Sequence, residues 1–381
     1  MTKLVLLLGA NVALMAGSSL SPGLPAMMAE FEDIPRADFW ISMILTLPAF
    51  FIVLSGPLVG WLVDRFGRKP ILVTSLLLGG LAGSSAYFLT EIWAILITRA
   101  LVGMSVAGAT TATNALIADY FDGQTRAKFM GAQSAFTGLA GVVFLSLGGF
   151  LADINWHLSF LAHSPLVVLF PLAWIFIHEP AIETPDQTSE KTERLTLTAP
   201  LIYVFSSTFL NQFTFVTIPI FVAYFMADLV SATGTQIGLI GAASGLFSFF
   251  AGMGYERLGR KVPFRDMTIV NFLLFSTGFL ILGLSGAWPG IIIGQLVLGF
   301  CMGLMGSNLT TWLASLVPPQ VRGRANGTYV TMMFLGNFAT SLVYTPIVNA
   351  TGLRFAYFLS AILVFLTAAA GLLIRRESNV P

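Results

Sequence analysis

Few residues in this chain could do chemistry, and two of them sit inside long apolar stretches. Arg99 heads the sequence Arg99-Ala-Leu-Val-Gly103, in the apolar stretch 92–118. A guanidinium among apolar residues is costly unless something compensates it. Its functional reading is to bias a nearby proton site or to hold an anionic group. Its structural reading is an arginine bonded to helix carbonyls or to polar neighbours such as Thr98 and Asn11. His163 lies in the stretch 157–178, and imidazole is the side chain that titrates near physiological pH. A packing role is the alternative for it. No Asp or Glu falls in mid-stretch: Glu30, Glu32, Asp33, Asp38, Glu91, Asp153 and Asp228 flank one set of ends, and Asp64, Asp119, Asp122, Glu256 and Asp266 the other. There is one cysteine, Cys301, and no H-E-x-x-H, G-x-S-x-G or phosphate-loop pattern. Those absences lead us to expect no enzyme, no resident metal and no cofactor.

The elements that must position these residues follow from composition. Of 381 residues 56% are hydrophobic and 10% charged, against about 25% charged in a soluble domain. Such a chain cannot cover itself with polar surface. The balance of 19 Lys and Arg against 18 Asp and Glu excludes a basic nucleic-acid binder. Twelve apolar stretches are long enough to cross a bilayer: 4–29, 40–63, 70–90, 92–118, 128–151, 157–178, 200–227, 235–254, 267–286, 289–315, 326–348 and 353–374. Spans of this length are expected as helices, because backbone groups in lipid must be satisfied within the segment. In that setting a charge such as Arg99 costs about 2.5–3.5 kcal/mol or more and marks function by default.

With the N-terminus in the cytoplasm, 16 of the 19 basic residues fall on the inner side, Arg36 and Arg354 on the outer side, and Arg99 within a span. That bias orients the chain with both termini cytoplasmic. Residues 179–199 are its longest polar stretch and read as a cytoplasmic linker between residues 1–178 and 200–381, two six-helix halves. The halves repeat each other. Gly60-Trp-Leu-Val-Asp64-Arg65-Phe-Gly67-Arg68-Lys69 matches Gly252-Met-Gly-Tyr-Glu256-Arg257-Leu-Gly259-Arg260-Lys261 at an offset of 192. Gln124 to Gly131 matches Gln320 to Gly327, and Arg99 to Gly103 matches Gln295 to Gly299, both at 196. Such repeats belong to transporter architectures, with a binding site expected near mid-membrane at the repeat interface.

The run Gly60 to Lys69 resembles the loop 2–3 signature of the major facilitator superfamily, G-x-L-x-D-R-x-G-R-K, at every defined position. The resemblance implies an all-α integral membrane protein of twelve transmembrane helices in two pseudo-symmetric six-helix bundles. It implies that Asp64 contacts the start of span 11, near Asn326 and Gly327, when the cytoplasmic side is closed. It also implies that Arg68 pairs with Asp119, with Glu256, Arg257 and Arg260 as the second copy of the latch. From the residues themselves, Gly60 and Gly67 suit close helix approach and a tight turn. Arg99 with Gly103 resembles the span 4 signature R-x-x-x-G of proton-coupled members, with Val102 where a glutamine is common. Gly148 and Gly149 fit the end of the span 5 antiporter signature, whose central Gly-Pro falls on Phe144 and Leu145 here.

Polar and aromatic residues at membrane depth complete the candidates: Asn11, Met15 and Ser18 on span 1, Gln133 and Phe136 on span 5, Asn211, Gln212 and Phe215 on span 7, Asn308 on span 10 and Asn337 on span 11. Amides beside aromatics suit neutral or amphipathic solutes, whereas interhelical glue is the plain reading of each. The absence of a mid-span acid argues against a purely cationic substrate. The leading expectation is a secondary active transporter working by alternating access in the inner membrane. It exports small amphipathic neutral or anionic compounds, coupled to protons through the resemblance and Arg99. Uptake of an organic anion is the alternative, and a transporter-like sensor a third reading. Expected partners are a small-molecule substrate, membrane lipid and protons, with the protein a monomer.

Overall fold

The computed structural model describes residues 1–12, 17–180, 195–259 and 262–374. Among them eleven helices are long and apolar enough to cross a membrane. The helices are α1 (Thr2–Gly9), α2 (Leu24–Glu30), α3 (Ala37–Phe66), α4 (Arg68–Ser85), α5 (Ile92–Tyr120), α6 (Gly123–Ile154), α7 (Ser164–Phe176), α8 (Ala199–Phe215), α9 (Ala223–Val230), α10 (Gly234–Gly259), α11 (Phe264–Leu284), α12 (Trp288–Leu316), α13 (Arg322–Thr351) and α14 (Leu353–Leu372). The chain is an all-helical, multi-pass membrane protein.

Three spans differ locally from plain helices, each at a proline. The first span ends in the tight turn Ser21–Gly23 and the short α2, where Pro22 and Pro25 sit at helix-starting positions. The sixth starts as a 3₁₀ segment, Trp156–His163, and turns α-helical only at Ser164, followed by Pro165. Pro165 has no N–H to offer Leu161. The seventh widens to a π turn at Ile218–Val222, around Pro219.

The chain forms two compact units: Met1–Thr184 with Ala232–Ala242, and Pro185–Ser231 with Ala243–Pro381. The expected division at residues 179–199 is thus modified by one segment, the first turns of α10, which pack with the first unit. The core of the first unit runs through Val5, Leu72, Leu76, Val102, Val106, Leu116 and Leu166. Its helices approach at small residues. A Cβ on Gly103 would lie 2.4 Å from the Pro48 carbonyl oxygen, and Ser105 Oγ donates to the Ser75 carbonyl at 2.7 Å.

The second unit repeats these contacts with other residues. A Cβ on Gly299 would lie 2.2 Å from the Ser244 carbonyl oxygen, and Asn271 Nδ2 donates to the Cys301 carbonyl at 3.0 Å. Every one of these four positions is offset by 196 from its counterpart. Thus the repeat preserves where backbones meet, while the groups that bond there have changed.

Candidate substrate and coupling sites

The loop between α3 and α4 is built by a glycine and closed by an acid from elsewhere. Gly67 adopts φ +95°, a left-handed region that favours glycine. A Cβ there would also meet the Glu179 carboxylate at 2.6 Å. Glu179 accepts from the backbone N–H groups of Arg68 and Lys69, each at 2.7 Å. It thereby satisfies two of the orphan donors that start α4. Arg68 Nε lies 3.1 Å from Asp119 Oδ2, so the pairing implied by the family resemblance is present within the first unit. Tyr120 exchanges hydrogen bonds with the backbone of His178, and Lys69 Nζ lies 5.5 Å from the Trp174 ring centroid. Arg65 packs over Trp61 and Phe66, and Asp64 is exposed at the end of α3. The close approach expected at Gly60 falls elsewhere. A Cβ there would meet no atom within 4 Å, and other glycines of this unit, Gly79, Gly103 and Gly108 among them, make close contacts instead. In the second copy Arg257 is exposed at the end of α10, while Arg260 and the side chain of Glu256 lie outside the described residues.

Arg99 is fully buried, 0% exposed, as is His163. Its partners are not Thr98 or Asn11. Its Nη2 donates to the Gly83 carbonyl at 3.3 Å, its Nη1 lies 3.5 Å from His163 Nε2, and its guanidinium carbon lies 5.0 Å from the Phe160 ring centroid. His163 Nδ1 lies 3.0 Å from the Phe160 carbonyl oxygen. That oxygen can only accept, so Nδ1 carries the proton and Nε2 is free to accept from Arg99. Gly83 makes room for this: a Cβ there would lie 2.3 Å from the imidazole. The two titratable candidates therefore form one buried pair, set between α4, α5 and the 3₁₀ segment before α7. Arg99 Nε has no hydrogen-bond partner.

The amide candidates divide. Asn308 is 1% exposed and its amide is used inside the second unit: Nδ2 donates to the Phe264 carbonyl at 3.0 Å and to Thr268 Oγ1 at 2.7 Å, and Oδ1 accepts from Tyr255 at 3.3 Å. Asn211 Nδ2 lies 3.5 Å from Met302 Sδ, and Asn11 Nδ2 donates to the Leu7 carbonyl at 2.6 Å. The side-chain oxygens of Asn11, Gln133, Asn211 and Asn337 have no partner. Gly336, beside Asn337, packs on the backbone of Phe209 and Phe213, which brings α13 against the turn of α8 that carries Asn211. Ser18, Phe136, Gln212 and Phe215 are half-buried, and Met15 lies outside the described residues. No group of His, Cys, Asp and Glu that could hold a metal occurs among the described residues.

Two acids to which the sequence reading gave no role accept from backbone N–H groups of distant segments. One is Glu179. The other is Asp153 at the end of α6, whose Oδ1 accepts from Gly234 N at 2.5 Å and whose Oδ2 accepts from Thr235 N at 2.8 Å. The only local signal for such a site is Thr233-Gly-Thr-Gln236, whose Gln236 Oε1 accepts from Thr233 N at 3.0 Å, a capping box that marks a helix start.

Comparison with known proteins agrees with this architecture. Tetracycline resistance protein, class H, of Pasteurella multocida is 26% identical over 333 residues, 82% of this chain and 80% of that protein. Multidrug resistance protein MdtG of Proteus mirabilis is 24% identical over 368 residues, 92% of this chain and 90% of that protein. Among solved structures the xylose transporter XylE from E. coli, in an inward open conformation, superposes with a TM-score of 0.81 at 15% identity, covering 99% of this chain and 97% of that one. The Major Facilitator Superfamily profile matches residues 6–222 and 204–381, and the chain belongs to that superfamily of transporters.

Proposed function

We propose that the protein exports small amphipathic neutral or anionic compounds across the inner membrane, driven by protons and working by alternating access. The observation that carries this reading is the set of relatives spanning nearly the whole chain, which are resistance proteins for tetracycline and for multiple drugs. The residues support it in two ways. No acid lies in mid-span to partner a purely cationic solute. The free amide oxygens of Asn11, Gln133, Asn211 and Asn337 offer hydrogen bonds without charge. Both termini face the cytoplasm in this reading, on the strength of the basic-residue bias.

Uptake of an organic anion would have Arg99 neutralise the solute. Arg99 is instead packed on Phe160 and committed to Gly83 and His163, so export is the reading taken forward. The test is transport of tetracycline, as a first probe, into everted membrane vesicles with and without an imposed pH gradient. Accumulation that collapses when the gradient is discharged is the expected result. Accumulation in right-side-out vesicles alone would reverse the direction and sink the export reading.

A further inference from the structure

We propose that His163 is a positioning residue: its imidazole stays neutral through the transport cycle and holds the Arg99 guanidinium, and it does not carry the coupled proton. Only the transport arm of the test below rests on the proton-coupled reading.

Both ring nitrogens are in use. Nδ1–H donates to the Phe160 carbonyl at 3.0 Å, and Nε2 faces Arg99 Nη1 at 3.5 Å. A guanidinium has donors only, so Nε2 must bring a lone pair to this contact. A proton on Nε2 would set N–H against N–H. It would also put two cations side by side where both residues are 0% exposed and no water screens them. Arg99 has few other holds. Nη2 donates to the Gly83 carbonyl at 3.3 Å, the Phe160 ring lies beside it, and Nε has no partner. Without the imidazole the buried cation would keep one hydrogen-bonding acceptor.

The backbone explains how one short segment supplies these contacts. Trp156–His163 is a 3₁₀ segment, and at three residues per turn the side chains at i and i+3 lie over one another. Phe160 and His163 are such a pair, so ring and imidazole meet Arg99 together. In an α-helix the same two would be turned about 60° apart. Ser159 Oγ donates to the Gly148 carbonyl at 3.2 Å, which fixes the segment to α6. Gly83 serves twice: its carbonyl accepts from Arg99, and its missing side chain admits the imidazole.

The repeat provides a comparison within the chain. At the offset of 196 the second half has Gln295 in place of Arg99. Its last span is α-helical from Leu353 and holds no histidine. The cation, the 3₁₀ segment and the imidazole occur together in one half and are replaced together in the other. That is the pattern of a residue that serves the arginine. Other titratable groups do not join the pair. The elements packed on the segment bring Asp153 from α6, Glu30 from α2, Tyr87 from Ala86–Phe88, and Arg68 and Lys69 at the far end of α4; α7 brings none. Asp153 is bonded to the start of α10 and Glu30 to Trp156. His157, on the segment itself, is stacked on Trp156.

Three measurements test this, two of them without transport. With the three histidines isotope-labelled at their ring nitrogens, nuclear magnetic resonance reads each ring, and His163→Gln assigns the signal. The His163 ring should show one protonated and one bare nitrogen from about pH 8 to about pH 5.5. An imidazolium in that range overturns the proposal. In a double-mutant cycle of thermal unfolding, His163→Leu should lower the midpoint by about 5 °C or more in the native background, and by less than about 2 °C beside Arg99→Met. Equal losses would make His163 an independent packing residue and overturn it. The third measurement is gradient-driven tetracycline accumulation in everted vesicles. His163→Leu, and His163→Asn, whose amide reaches only the Nδ1 position, should lose about tenfold or more. His163→Gln, whose Oε1 reaches the Nε2 position, should rescue it. If His163→Gln instead keeps counterflow and loses accumulation, the imidazole is the carrier and the proposal falls. If the native protein accumulates no tetracycline, the export reading fails with that probe, and the first two measurements still decide the role of His163.

Discussion

At the scale of single residues the most informative contrast is between a charge with no acid and two acids with no base. Arg99 is fully buried and faces a carbonyl, an imidazole and a ring. None of these neutralises it, so its desolvation is only partly repaid. Replacing it with an apolar side chain of similar length should therefore not unfold the protein. Arg99→Met is expected to change unfolding free energy by no more than about 1 kcal/mol, because a buried ion exchanged for well-packed apolar atoms is often neutral or stabilising. The same substitution should abolish gradient-driven transport. Thermal unfolding in detergent and vesicle transport together check this. A large loss of stability with transport intact would make Arg99 a structural rivet. Sequence singled out Arg99 and His163 separately. It could not join them, because the pairing depends on Gly83 leaving room for the imidazole. Asp153 was legible only as a flanking acid and Glu179 only as the first residue of the polar stretch, since each acts on backbone N–H groups of a segment distant in sequence.

At the scale of helices, the order and approximate bounds of eleven of the twelve expected spans were legible from apolar run length among the described residues, and the exceptions trace to prolines. Glycine was less legible. Spacing alone could not tell Gly60, which has open space, from Gly103, which lies under the Pro48 carbonyl oxygen. The difference has a direct test. Gly103→Ala places a methyl group 2.4 Å from backbone that cannot swing aside, and overpacking of this kind costs about 1–3 kcal/mol. Gly60→Ala should cost nothing measurable, and Ala even favours the helix. Comparing midpoints of thermal unfolding separates the two. Equal midpoints would show that α3 and α5 can part without penalty. Gly67 is a third case: there the backbone conformation itself, at φ +95°, disfavours any side chain.

At the scale of the whole molecule the repeat was read from signatures, and the structure shows what the repeat conserves. Paired contacts recur at an offset of 196 while their donors and acceptors change. Sequence also placed the division between halves at the linker, but contacts move Ala232–Ala242 across it. A polar stretch marks where a chain can be cut; it does not reveal which later segment packs back. A fragment ending at Thr184 therefore lacks part of its own compact unit. Expressed alone, it should unfold at a lower temperature than when co-expressed with residues 185–381. An unchanged midpoint would mean that residues 232–242 add nothing to the first unit.

The repeated glycine contact also sets a ruler along two helices. Sixteen residues separate Pro48 from Asp64 on α3, but twelve separate Ser244 from Glu256 on α10. The four missing residues amount to about one helical turn, or about 6 Å of rise. A full turn preserves which face each residue occupies while changing its depth. The second signature therefore lies about 6 Å nearer to its own anchor along the helix than the first does. The two copies share a pattern of residues but not its distance from the glycine contact.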